Sequence, residues 1–122
     1  MPVRGLTIIL ASVDPDQLRS VLGLAATVAA LGGGARLFLD GPSVRLLATP
    51  IAHDRDPDFL AAGLPTLAEL VDTAIALGVT IMLCQSGVAL VDLGGGRIDS
   101  RFQTGGMTGV IASLGDDRLV VL

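Results

Sequence analysis

A single cysteine, Cys84, is the residue with the clearest potential for chemistry in this sequence. It follows the apolar run Val79–Leu83, which predicts a strand, and it precedes a segment that Ser86 can cap as a short helix. A thiol between a strand end and a helix start lies near unpaired amides and the positive end of a helix dipole, and both stabilise a thiolate. A thiolate can attack the sulfur of a persulfide or disulfide, or carry a sulfur atom itself. A free cysteine can equally be a small buried hydrophobe, so position alone leaves both interpretations open.

The only histidine, His53, lies in an acidic segment. It could act as a general base, as a partner of Cys84, or as a metal ligand beside Asp54 or Asp56. A zinc site usually needs three or four ligands, and this sequence offers one histidine and one cysteine. We therefore favour a solvated loop residue and expect no metal site.

The stretch Gly105–Gly109 is a second candidate for binding. The amides of Gly105 and Gly106 could hold an anion at a helix start, whereas close packing of that helix is the favoured alternative. The sequence has neither a dinucleotide-binding glycine pattern nor a Walker motif, and it contains no lysine. We predict no cofactor and exclude Schiff-base chemistry.

Composition points to self-association. The net charge is −4 and the aromatic residues are three phenylalanines, a poor basis for binding nucleic acid. Hydrophobic residues make up 51% of the chain and charged residues only 16%, against roughly 25% charged residues in soluble domains, so subunit contacts should cover part of the surface.

Glycines interrupt both long uncharged stretches, so no membrane span is expected. The apolar run at Leu6–Leu10 is too short for a signal peptide, which makes the cytoplasm the expected location.

Strands and helices alternate along the whole chain. The predicted strands are Leu6–Ala11, Ala35–Leu39, Val79–Leu83 and Arg118–Leu122. The predicted helices start at the caps Asp14, Thr66 and Ser86 and at Thr104, and stop at Gly32, Gly78, the Gly94-Gly95-Gly96 run and Leu114. Between them, Val44–Ala48 could be briefly extended, and Thr49–Pro65 reads as an exposed, mobile loop with a helical turn near Phe59–Ala62.

This alternation predicts one domain over residues 1–122, a three-layer α/β sandwich with a mainly parallel sheet of four or five strands. Ligands of such sheets bind beyond the carboxyl ends of the strands, where Cys84 falls.

Three sequence features resemble the DsrE/DsrF-like family of sulfur-relay proteins: the apolar strand that delivers Cys84, the Asp40-Gly41 turn followed by Val44, and the Asp117-Arg118 pair that enters the last strand. The resemblance spans nearly the whole chain. It implies an α/β/α fold of flavodoxin-like topology and assembly as a trimer or hexamer. It also implies that the cysteine at this position carries sulfane sulfur as a persulfide.

Two hypotheses follow for function. In the first, the protein is a sulfur carrier or sulfurtransferase component in which Cys84 takes sulfur from a donor protein and passes it to an acceptor. Amides at the next helix start, together with Gln85, Ser86, Gly105 and Gly106, would then form the binding site. In the second, the protein is a non-enzymatic oligomer that binds a small ligand or anion, and Cys84 is structural.

Overall fold

The computed structural model describes residues 2–93 and 96–122. Within them, a five-stranded sheet is parallel throughout and has the strand order β4-β3-β2-β1-β5. The strands are β1 (Leu6–Leu10), β2 (Ala35–Leu39), β3 (Thr80–Cys84), β4 (Gln103–Gly105) and β5 (Arg118–Val121). The three central strands are the most apolar, as expected of strands buried on both faces.

The helices of the described residues are α1 (Pro15–Ala30), α2 (Asp56–Ala61), α3 (Leu67–Ala76), α4 (Gln85–Leu90) and α5 (Met107–Ala112), with a 3₁₀ helix at Gly41–Leu47. The two long helices begin where the sequence predicts. The Asp14 side chain accepts a hydrogen bond from the Asp16 amide at 2.9 Å, and Thr66 and Glu69 form a complete capping box at the start of α3.

The direction of each crossover decides which face of the sheet its helix covers. Three successive connections step from β1 to β2, β3 and β4, and the one return connection brings the chain from β4 back to β5, beside β1. Because parallel crossovers are right-handed, forward and return connections cover opposite faces. Only α5 is therefore left to cover the face opposite α1 and α3.

We call the side covered by α1 and α3 the first face. There Leu6 and Val120 line a groove with Leu24 and Val28 of α1, and α3 packs against α1.

The second face carries Thr7, Arg36, Phe38 and Met82, and α5 lies over it. Arg36 Nη2 donates to the Val110 carbonyl at 3.3 Å, and Nη1 donates to Ser113 Oγ at 2.7 Å. A six-residue helix cannot span five strands, and four large apolar side chains of α5 and β5 remain exposed: Met107, Ile111, Leu119 and Val121.

The structure confirms the predicted three-layer sandwich and adds the order of the strands in the sheet, which the sequence did not predict. A flavodoxin sheet has the order 2-1-3-4-5, whereas here β2, β3 and β4 all lie on one side of β1 and β5 lies on the other. The expected α/β/α sandwich with a parallel sheet is therefore confirmed, with a strand order that differs from that of flavodoxin.

Local predictions fail in three places. Of the predicted extended piece Val44–Ala48, only Ala48 is extended, because the residues before it belong to the 3₁₀ helix Gly41–Leu47. Ser43 Oγ stabilises the start of this helix by donating to the carbonyls of Leu10 and Asp40, both at 2.8 Å. Residues 103–105 form a short strand instead of a helix start. The helix after β3 begins at Gln85 rather than after Ser86. Gly94 and Gly95, where the sequence places the end of that helix, lie outside the described residues.

The acidic segment is also less exposed than predicted, because Asp56 is buried. Its carboxylate accepts hydrogen bonds from the amides of His53 and Leu67 at 3.0 and 3.1 Å and from Arg19 Nη2 at 2.6 Å. Arg19 in turn stacks on the Phe59 ring, with Cζ 3.6 Å from the ring centroid. Asp56 thus fastens the segment and α2 to α1 and α3.

Among the described helices, none combines the length and apolarity needed to cross a bilayer.

Candidate functional site

A pocket of about 330 Å³ lies at the edge of the sheet where β2, β3 and β4 end. Its lining comes from the start of the 3₁₀ helix, the start of α4, and the link from β4 to α5. The residues are Asp40, Gly41, Cys84, Gln85, Ser86, Gly87, Leu90, Gly105, Gly106 and Met107. A crevice at this edge is where parallel α/β sheets bind their ligands.

Cys84 forms the inner wall of the pocket. It is the last residue of β3 and the N-cap of α4. The strand alternation directs it to the second face with Met82, and in the ladder it pairs with Gly105 of β4. Cys84 is buried, with 8% of its surface exposed, and it belongs to the hydrophobic core, so the pocket is the route by which a reagent would have to reach the thiol.

All five site residues predicted from the sequence line this pocket. Gln85 and Ser86 belong to the first turn of α4 and are exposed, Gly105 is half-buried, and Gly106 is exposed. The structure brings Gly105 and Gly106 beside Cys84 because β4 pairs in parallel with β3. Their roles in binding remain a prediction.

Sequence reasoning missed four of the ten lining residues: Asp40, Gly41, Gly87 and Leu90. A signal was present for Asp40 and Gly41, since they directly follow a predicted strand and carboxyl ends of parallel strands share one edge. Met107 falls in the predicted stretch Gly105–Gly109, whereas no local pattern indicated Leu90, whose position depends on how α4 packs.

The pocket owes part of its shape to a close approach between Gly87 and Gly41. A Cβ placed on Gly87 would lie 2.2 Å from the Gly41 carbonyl oxygen, so only glycine fits at this position of α4. Gly41 itself has a φ of +57°, a conformation that residues with a side chain rarely adopt. These two glycines let α4 pack directly on the start of the 3₁₀ helix.

The helix starts around the pocket lack side-chain caps. Cys84, Asp40 and Gly106 are the N-cap residues of α4, the 3₁₀ helix and α5, and none of their side chains forms a capping hydrogen bond. Asp14 and Thr66, far from the pocket, do cap their helices. First-turn amides near the pocket are therefore free of side-chain acceptors among the described residues.

Asp40 supplies the one formal charge of the pocket within the described part of the chain. Its amide donates to the Leu10 carbonyl at 2.9 Å, and its carbonyl accepts from Ser43. Its half-buried carboxylate has no hydrogen-bond or ion-pair partner among residues 2–93 and 96–122. The other lining residues are neutral, and the exposed side chains of Leu90 and Met107 are apolar.

His53 does not line the pocket. It is half-buried rather than fully solvated, its ring Nε2 lies 3.2 Å from the Leu46 carbonyl oxygen, and its amide donates to Asp56. Of the possible metal ligands beside it, Asp56 is already engaged with Arg19. Residues 2–93 and 96–122 contain no group of three or more histidine, cysteine or acidic side chains able to hold a metal ion.

The perturbed carboxyl groups belong to ion pairs elsewhere in the fold. Burial acts to raise the pKa of Asp56, but hydrogen bonds from His53, Leu67 and Arg19 together lower it below its usual value. Hydrogen bonds from the Arg101 side chain and amide lower the pKa of Asp99. Both groups stabilise loops rather than the pocket.

The parallel sheet and its return connection to β5 form an α/β/α sandwich, and the comparison with solved structures assigns it the DsrE/DsrF-like fold. A solved structure with this fold is that of the YchN protein from E. coli. The two match with a TM-score of 0.73, over 97% of this chain and 99% of the YchN chain, at 14% sequence identity. At this identity the likeness concerns the fold alone. No family model and no curated protein matches the sequence.

Proposed function

We propose that the protein is a cytoplasmic sulfur carrier in which Cys84 holds sulfane sulfur as a persulfide. One observation carries this proposal: the only thiol of the chain lines an open pocket at the carboxyl edge of the sheet. Cys84 is itself buried, and a place in the wall of a pocket provides the access that sulfur transfer to a buried thiol requires.

The proposed chemistry consists of two sulfur-transfer steps of the same kind, one from the donor to Cys84 and one from Cys84 to the acceptor. The Cys84 thiolate attacks the terminal sulfur of a donor persulfide, the sulfur–sulfur bond of the donor breaks, and the donor thiolate leaves with the electron pair. The product is Cys84–S–SH. An acceptor thiolate then attacks the terminal sulfur and restores the Cys84 thiolate. Sulfur moves without net oxidation, so no further oxidant or reductant is required.

The surroundings of Cys84 suit a sulfur anion. The first turns of α4 and α5 lack side-chain caps, and a helix start without such a cap favours a nearby negative charge. Gly105, the ladder neighbour of Cys84, has no side chain, and a Cβ there would meet Met82 Sδ at 2.7 Å, so the thioether of Met82 lies over this position. Gln85 and Ser86 offer polar groups at the rim.

We further propose that the protein assembles as a trimer or hexamer through the second face. Its support is the incomplete cover that α5 gives this face, where Leu119 and Val121 of β5 and Ile111 of α5 stay exposed. The low share of charged residues in the chain supports the same conclusion. A second copy of this surface is the occupant that we expect.

Intact mass spectrometry tests the carrier function. After incubation with a persulfide donor and removal of small molecules, the protein should gain the mass of one sulfur atom, and Cys84→Ser should gain none. The absence of any gain would overturn the proposal and favour the alternative, a small-ligand or anion-binding oligomer in which Cys84 is structural.

A further inference from the structure

We infer that Asp40 sets the charge selectivity of the pocket, so that it accepts sulfur compounds with neutral or cationic groups and disfavours anionic ones. This inference rests on the proposed function and specifies its substrate class. Neutral or cationic organic persulfides and thiols fit this class, and inorganic anions such as thiosulfate do not.

The charges around Cys84 support this selectivity. The carboxylate of Asp40 has no hydrogen-bond or ion-pair partner in the described chain, and no cationic side chain lines the pocket within the same residues. Several arginines are engaged elsewhere: Arg19 with Asp56, Arg36 with Asp117, Arg55 with Asp16, and Arg101 with Asp72 and Asp99. The chain as a whole adds a net charge of −4.

The first-turn amides of α4 and α5, which no side chain caps, do not cancel this effect. They offer partial charges to one sulfur anion, the thiolate or persulfide of Cys84 itself. A second negative charge brought by the incoming compound would then face Asp40 without a cation to offset it. Two like charges a few ångströms apart in a partly solvated pocket repel enough to slow an anionic compound several-fold.

The rim of the pocket fits the same class of compound. Leu90 is 68% exposed and Met107 is 37% exposed, and both border the opening. Apolar side chains at this position favour an organic group next to the reacting sulfur and offer nothing to a small hydrated anion.

A pair of thiol reagents of opposite charge tests the inference. Trimethylammonium-ethyl and sulfonatoethyl methanethiosulfonate react by the same step: the thiolate forms a mixed disulfide and methanesulfinate leaves. Both rates depend on the same fraction of Cys84 thiolate, so this fraction cancels in their ratio. The same ratio measured for the free thiol N-acetylcysteine amide gives the intrinsic difference in reactivity between the two reagents. Because Cys84 is the only cysteine, each reaction reports on one site.

We expect the ratio of the cationic to the anionic rate at Cys84 to exceed the same ratio at the free thiol by a factor on the order of ten. Asp40→Asn should bring the ratio close to that of the free thiol, and Asp54→Asn, which removes an exposed carboxylate outside the pocket, should leave it unchanged. A ratio equal to that of the free thiol, a ratio insensitive to Asp40→Asn, or a Cys84 that neither reagent reaches would overturn the inference. If the protein shows selectivity that depends on Asp40 but takes up no sulfur, only the carrier function is overturned.

Discussion

Gly105 lies beside Cys84 in the parallel ladder between β3 and β4, and both residues line the same pocket. An ideal Cβ on Gly105 would point toward Met82 Sδ, 2.7 Å away, on the face that also carries Cys84. The residue with no side chain is thus the one placed next to the thiol.

A side chain at Gly105 should shield the thiol, because it must displace Met82 Sδ on the face of the sheet that also carries Cys84. In Gly105→Val, the branched side chain stands next to Cys84, and alkylation of Cys84 by iodoacetamide should slow several-fold at constant pH. Thr104→Val is the matched control, since its side chain points to the opposite face and should leave the rate unchanged. Equal rates for Gly105→Val and the parent protein would contradict this view of the pocket.

The contact between α4 and the 3₁₀ helix makes a prediction for stability. Gly87→Ala should destabilise the protein by about 1–3 kcal/mol, because the new Cβ overlaps the Gly41 carbonyl and α4 must move. Gly109→Ala in α5 meets nothing within 4 Å and should stabilise by up to about 1 kcal/mol. Urea unfolding compares the two variants, and similar changes in both would argue against the close approach.

Asp56 should make stability depend on acid pH. Its pKa in the folded protein lies below the ordinary 3.8, so its stabilisation is fully present above that value and is lost as the pH falls through the folded pKa. Asp56→Asn should therefore cost about 2–4 kcal/mol at neutral pH, from lost hydrogen bonds and an unpaired Arg19. The difference from the parent protein should shrink in more acidic solution.

Urea unfolding over a pH series measures this dependence. Asp58→Asn is the control, since its side chain is 74% exposed and its nearest cation, Arg55, lies at 3.9 Å. Its unfolding free energy should follow that of the parent protein. If the difference in unfolding free energy between Asp56→Asn and the parent protein is the same at all pH values, the stabilising role of the ionised Asp56 carboxylate is contradicted.

Assembly through the second face is tested by the size of the particle in solution. Sedimentation should show a trimer or hexamer for the parent protein, and Leu119→Asp should shift it toward the monomer, because a buried, unpaired carboxylate opposes association. Leu60→Asp changes an exposed leucine on α2, away from this face, and should leave the assembly intact. A parent protein that is monomeric at high concentration would contradict the proposed interface.

The sequence predicted those parts of the fold that local patterns encode. The apolar run Leu6–Leu10 forms a strand, and the capping box at Thr66 starts a helix, because neither depends on distant residues. The 3₁₀ helix was missed because Ser43 is held by the carbonyl of Leu10, far away in sequence. β4 was missed because its short, polar segment becomes a strand only by pairing with β3.

The candidate site was predictable in position and only partly in composition. The rule that ligands bind at the carboxyl edge of a parallel sheet located Cys84 and its neighbours. The same rule applied to β2 would have added Asp40, which was read only as a turn residue. Leu90 could not be predicted, since its place at the rim follows from the packing of a short helix, and Met107 was predicted only as part of the stretch Gly105–Gly109.

Discharge of the loaded protein tests the central claim most directly. Protein carrying one added sulfur is freed of donor, mixed with a neutral low-molecular-weight thiol, and followed by intact mass while the acceptor persulfide is quantified. We predict that the protein returns to its unloaded mass while one equivalent of persulfide appears on the acceptor, and that Cys84→Ser neither loads nor delivers sulfur. A parent protein that takes up no sulfur, or that holds it without release, would contradict a carrier role for Cys84.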